Sequence, residues 1–147
     1  MTEFFSPRFL KSLILFSAGL HFCQLPAMVY FAPKMLGWKE DIAKLSPINK
    51  SIVKVMGGGI MLAGLGLGIV VLCSPLELLG PGILGRALCC FLSVFWAYRA
   101  CVQIFIYPRI FPKTYMGQFS HYGMIALFSF QTLAYGWIFI AGFWFHT

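Results

Sequence analysis

Acidic side chains are scarce in this chain. Glu3, Glu40, Asp41 and Glu77 are the four among 147 residues, and none lies inside an apolar run. The apolar runs therefore hold none of the paired carboxylates used in general acid–base catalysis. Zinc ligands are missing too: Cys23, Cys73, Cys89, Cys90 and Cys101 contain no C-x-x-C pair, and no Cys/His cluster has ligand spacing. All five fall within or at the edge of apolar runs, where a free thiol behaves as a small hydrophobe, so they read as packing residues and not as a disulfide framework. No histidine box fits a di-iron oxygenase, and no G-x-S-x-G marks a nucleophile. Repeats, low-complexity stretches and a linker to a second domain are also missing.

Charge of either sign is low, at 10% of residues, against about 25% in soluble domains. What replaces it is apolar: 60% of residues are hydrophobic and the mean hydropathy is +0.84. A chain this apolar cannot hide its side chains in a core of its own size, so lipid is the expected solvent for most of it. The formal charge of +7 would suggest nucleic acid in a soluble protein. Here the basic residues flank apolar runs, which is membrane-topology charge, and no nucleic-acid partner is expected. The expected fold is all-α: a polytopic integral membrane protein whose four transmembrane helices form a compact bundle. Residues 1–147 would make one domain, with spans at about 9–31, 48–73, 84–107 and 118–145.

The first span competes with a signal-peptide reading, because Arg8 and Lys11 precede it. No A-x-A-like site follows, and His21 and Gln24 interrupt the apolar stretch, which favours a membrane helix. Ser17, His21 and Gln24 share one helix face, and Pro26 predicts a kink. Trp38 to Leu45 reads as a short amphipathic helix at the interface. Ser46 and Pro47 read as the start of the second span. That span is crowded with small residues. Gly59/Ala63 and Gly64/Gly68 are small-xxx-small pairs that let helices approach closely in lipid, while its G-x-G lacks the strand a nucleotide-binding loop requires. Pro75, Gly80, Pro81, Gly82 and Gly85 punctuate the loop that follows. Pro108 and Pro112 bracket a basic loop with Arg109 and Lys113, and the fourth span ends in the aromatic run YGWIFIAGFWF.

Four spans put both termini on one side, with Arg8, Lys11 and Arg86. The other side has Lys34, Lys39, Lys44, Lys50, Arg109 and Lys113, and also Lys54 and Arg99 if residues inside the spans are counted. The positive-inside rule then places the two longer loops in the cytoplasm and both termini on the non-cytoplasmic side of the cell's inner membrane.

The third span carries Arg99, with Gln103 one turn later. A charge there costs about 2.5–3.5 kcal/mol or more on insertion scales, so it needs protein, water or a partner. Helix rise puts Arg99 about 12 Å from the inner end of its span, Gln24 about 10 Å, His21 about 15 Å, and Lys54 and His121 about 5–9 Å. The deep polar groups therefore share one half of the membrane, which makes Arg99, Gln103, His21, Gln24 and His121 the candidate ligand-binding set. Arg99 has no intramembrane carboxylate. It could snorkel to lipid phosphate, hydrogen-bond Gln24, Gln103 or carbonyls freed near Pro26, meet Glu40 or Asp41, or hold an anionic ligand. The difference in depth between His21 and His121 argues against a bis-histidine haem. A single-histidine haem or a quinone beside His21, Gln24 and Arg99 stays open, with no cofactor as the default expectation.

The pattern GWKEDIAKLSPINK, then a glycine-rich apolar span, then FWAYRACVQIFIYPR, resembles small four-span inner-membrane proteins of bacteria. Its most specific part is Trp96, Arg99 and Gln103, spaced to share a helix face. The resemblance implies an architecture and no activity. Three function classes follow. The first is a non-enzymatic component packing with itself or with a larger membrane complex through Gly59, Ala63, Gly64 and Gly68. The second is a binder or transporter of an anionic ligand or lipid. The third is a redox subunit holding haem or quinone.

Overall fold

The computed structural model describes residues 6–80, 82–109 and 111–144. Those residues are 90% helical, with no strand among them. Four helices are long and apolar enough to cross a membrane: Pro7–Met35, Pro47–Cys73, Ile83–Arg109 and Tyr115–Phe143. Three of them begin at a serine or threonine cap, Ser6, Ser46 and Thr114. The Ser6 hydroxyl accepts from Phe9 N–H at 3.3 Å and starts α1 (Pro7–Pro26). Ser46 does the same for Asn49 N–H at 3.4 Å, with Pro47 in the first turn of α4 (Pro47–Cys73).

Pro26 does not end the first long helix. The chain widens into a π-turn at Ala27–Phe31, closed by Ala32 N–H to Ala27 O, and runs on as α2 (Ala32–Met35). Where a kink was expected, the proline is thus followed by a change in hydrogen-bond register, which is how helices absorb a lost donor. Gly37, at φ +65°, then turns the chain into α3 (Trp38–Ala43), whose first turn holds Glu40 and Asp41. A left-handed residue here favours glycine, which has no Cβ to clash.

The chain divides into two units, residues 1–17 with 73–147 and residues 18–72. In the first, α5 (Pro75–Leu79) leads to α6 (Ile83–Phe105), a 3-10 turn (Tyr107–Arg109) and α7 (Tyr115–Trp144). Pro108 cannot supply the N–H that would extend α6, so the chain reverses, and α6 and α7 pair antiparallel. Ser93 Oγ donates to Thr132 O at 3.0 Å, and Trp96 stacks on Phe128 with centroids 5.4 Å apart. The seam on α6 is Gly85, Cys89, Leu92, Trp96, Ala100 and Gln103, at helical spacing. The start of α1 joins this unit: Gln131 Nε2–H donates to Ser17 O at 3.2 Å, and Phe16 meets Phe130 edge-on.

In the second unit α1 and α4 meet through Gly64 and Gly68. A Cβ at Gly68 would sit 3.1 Å from His21 Cβ and 3.5 Å from the Phe22 ring, and one at Gly64 would lie 3.9 Å from Leu25. The rest of α4 is bare: Gly68 and Val71 are the buried residues of its 27. Across both units the outward positions are large and apolar, including Ile60, Leu62, Phe91, Val94, Phe119 and Leu133. The inward ones include Ser17, His21, Gln103, His121 and Gln131.

Candidate functional site

The structure brings together Arg99, Gln103 and His121 along the α6–α7 seam. Trp96, Arg99 and Gln103 lie three and four residues apart, so a single stripe of α6 carries all three. Trp96 and Gln103 are buried and Arg99 is half-buried. Gln103 Nε2–H donates to His121 Nδ1 at 2.8 Å. Both residues are buried, and the bond ties the end of α6 to the second turn of α7.

Arg99 does not join that bond. Its guanidinium carbon lies 5.2 Å from the centre of the Phe128 ring. The other face of the arrangement is Trp96, stacked on the same ring with 24° between planes. No hydrogen bond or ion pair reaches Arg99 among the described residues. Arg86, in the first turn of α6, likewise lies by an aromatic ring, with its guanidinium carbon 5.4 Å from the centre of the Phe143 ring. Basic residues of α6 thus rest on aromatic faces of α7. The ion pair among the described residues is Lys44 with Asp41, 3.0 Å apart and both largely exposed, so it adds little to stability.

His21 and Gln24 belong to the other unit. His21 is 4% exposed beside Gly68, and the close approach of α4 there depends on a residue without a side chain. Gln24 is half-buried, and its Nε2 is sealed without a hydrogen-bond partner. The four small residues of α4 also divide. Gly64 and Gly68 meet α1, whereas Gly59 has nothing within 4 Å and Ala63 is exposed.

Two participants were missed in the sequence. Gln131, fully buried, joins α7 to the start of α1. A glutamine in the apolar run FSFQTLAYG was a readable signal, of the same kind as Gln103. Phe128 carried no signal: it is one of 16 phenylalanines, and only the fold selects it for Arg99. Of the five cysteines, all unpaired, Cys89 is buried in the seam, while Cys23, Cys73 and Cys101 point outward. Among the described residues, no three His, Cys, Asp or Glu side chains come together as a group able to hold a metal.

Chemically, the seam supplies a cation held on a ring and an imidazole held by an amide. Among the described residues it holds no carboxylate, and its Cys89 thiol and Ser93 hydroxyl are a buried packing group and a donor to Thr132 O. No protein-family model, curated protein or solved structure matches the chain.

Proposed function

We propose that the protein is a four-span integral protein of the bacterial inner membrane, with both termini on the non-cytoplasmic side. In this reading it is a non-enzymatic component that packs in the bilayer, through the bare face of α4, against a second copy or another membrane helix. The observation that carries it is α4 itself. Its 27 residues include an 18-residue window of mean hydropathy 2.2, and that window is only 11% buried. In water such a surface would far exceed the apolar patches soluble proteins tolerate. In lipid it is the ordinary outward face of a membrane helix, and the inward placement of glutamine and histidine fits the same solvent.

Gly59, Ala63 and Gly66 share one face of α4 by their spacing, four and three apart. A Cβ at Gly59 or Gly66 meets open space. Small residues left bare on a lipid-facing helix suit close contact with another helix, where van der Waals packing drives association. Orientation follows from the loops, with Lys34, Lys39, Lys44, Lys50, Arg109 and Lys113 on the cytoplasmic side.

The test is cross-linking and native mass spectrometry of the full chain in mild detergent. Wild type is expected to associate. Gly59→Leu, which touches nothing in the protomer, is expected to leave the helical content unchanged and to abolish association. A wild type with no partner of any kind, or a Gly59→Leu variant that associates normally, would remove this reading.

A further inference from the structure

The start of α7 and the loop before it border a half-open cavity of about 190 Å³, lined among others by Phe111, Pro112, Lys113, Gln118, His121 and Tyr122. It adjoins the Gln103–His121 pair and has a composition unlike the rest of the seam. His121 is 8% exposed, so its ring is more than nine-tenths buried where it lines this space. Phe111 and Tyr122 hold the ring between them, each with its centroid 5.3 Å away. Because Gln103 Nε2–H donates to Nδ1, Nδ1 is the acceptor and Nε2 carries the hydrogen. That Nε2–H has no hydrogen-bond partner among the described residues. The buried pair therefore leaves an unpartnered donor on a ring that lines the cavity.

The other groups around it have the same polarity. Lys113 brings an ammonium that forms no ion pair among the described residues, and no acidic residue lines the space. Gln118 and Tyr122 add neutral polar groups. The positive end of the α7 dipole lies at the same place. Thr114 is already committed as the cap of α7, its Oγ1 accepting from Gly117 N–H at 3.1 Å. Two N–H donors, one of them a full cation, at a helix N-terminus suit an anionic oxygen. The volume equals that of about six waters, enough for a phosphate group but not for acyl chains.

We propose that this cavity binds a phosphate group, with His121 Nε2–H and Lys113 Nζ as its donors. The phosphate is either that of a phospholipid head or free inorganic phosphate, two sources with one chemistry. Phe111 and Tyr122 form the apolar wall beside it. Arg99, which lies on Phe128, takes no part.

The experiment follows the His121 Nε2–H resonance in histidine-labelled full-length protein, assigned with a His121→Asn variant. One arm adds inorganic phosphate to protein in maltoside micelles, which contain no phosphate. The other adds short-chain phosphatidylglycerol to the same micelles, without inorganic phosphate. A saturable shift in the first arm identifies free phosphate, and a shift confined to the second identifies the lipid head. Lys113→Gln, on an exposed loop, is expected to weaken the response about tenfold. Gln118→Ala should weaken it less, and Lys39→Gln, which removes the same charge elsewhere, should leave it within twofold. No shift in either arm overturns the proposal, as does equal weakening by Lys39→Gln and Lys113→Gln, which would mean diffuse attraction. Both arms run in detergent, so they read the cavity independently of whether the chain spans a bilayer.

Discussion

Phe128→Ala is expected to destabilise the α6–α7 pair by about 3–5 kcal/mol, the range for removing a buried aromatic ring. Phe128 is 4% exposed and carries two neighbours at once, Trp96 at 5.4 Å and the Arg99 guanidinium at 5.2 Å. Of that loss, the stacked pair accounts for about 0.5–1.5 kcal/mol beyond area burial. The cation contributes up to about 2 kcal/mol where it is desolvated. Phe128→Leu keeps most of the volume and discards the ring, so it should cost clearly less than alanine. In an Arg99→Met background the penalty of Phe128→Leu should shrink by the cation's share. Reversible unfolding in mixed micelles, followed by circular dichroism, measures all four corners of that cycle. Equal penalties in both backgrounds would mean that the ring does nothing for Arg99.

The magnitudes also say that Phe128 is not Arg99's whole environment. In the four-span reading, the cost of the charge, about 2.5–3.5 kcal/mol or more, exceeds what a single ring returns. Arg99 is half-buried, and in the same reading its flexible stem lets the charge reach toward the nearer membrane interface.

Gly85→Leu is the second large effect. A Cβ at Gly85 would overlap the carbonyl oxygen of Glu77 and come within 3.1 Å of Leu78 Cα. Both obstacles are backbone of α5, and that carbonyl also accepts from Gly80 N–H at 3.3 Å. Nothing flexible can move aside, so α5 must lift from the first turn of α6. Even alanine is expected to cost about 1–3 kcal/mol, the usual range for overpacking, and leucine more. Gly57 lies in a similar helical context but has nothing within 4 Å. There, alanine should gain about 0.5–1 kcal/mol by stiffening the helix. Opposite signs for Gly85→Ala and Gly57→Ala in the same unfolding assay are the expected result. A neutral Gly85→Ala would mean that α5 does not rest on α6.

The long helices were legible because length and hydropathy suffice to find them. Ser46–Pro47 marked the start of α4 through cap chemistry, and Pro108 marked the end of α6 through a missing donor. The first helix runs past its expected end near Phe31 to Met35, because a π-turn absorbs Pro26, and hydropathy alone carries no trace of that register change. The last span was drawn to Phe145, which lies outside the described residues. Within the candidate site, the spacing of Trp96, Arg99 and Gln103 was visible as a helix face. Their partners were not, because which ring or imidazole faces them depends on the α6–α7 register, and the loop between the two helices sets that. Gly59/Ala63 and Gly64/Gly68 read as two small-xxx-small pairs. The structure sets Gly64 and Gly68 against α1 and leaves Gly59 and Ala63 bare, since a 100° step per residue turns Ala63 and Gly64 to different neighbours.

The most direct test of the four-span topology is cysteine accessibility in spheroplasts, using a membrane-impermeant maleimide and a cysteine-free background. Glu77→Cys, on the short helix α5 that follows α4, should label without permeabilisation. Lys44→Cys and Lys113→Cys, in the two basic loops, should label only after it. Lys44→Cys and Lys113→Cys on opposite sides, or all three labelling alike in a protein released by alkaline extraction, would contradict a chain that crosses the bilayer four times with its basic loops inside.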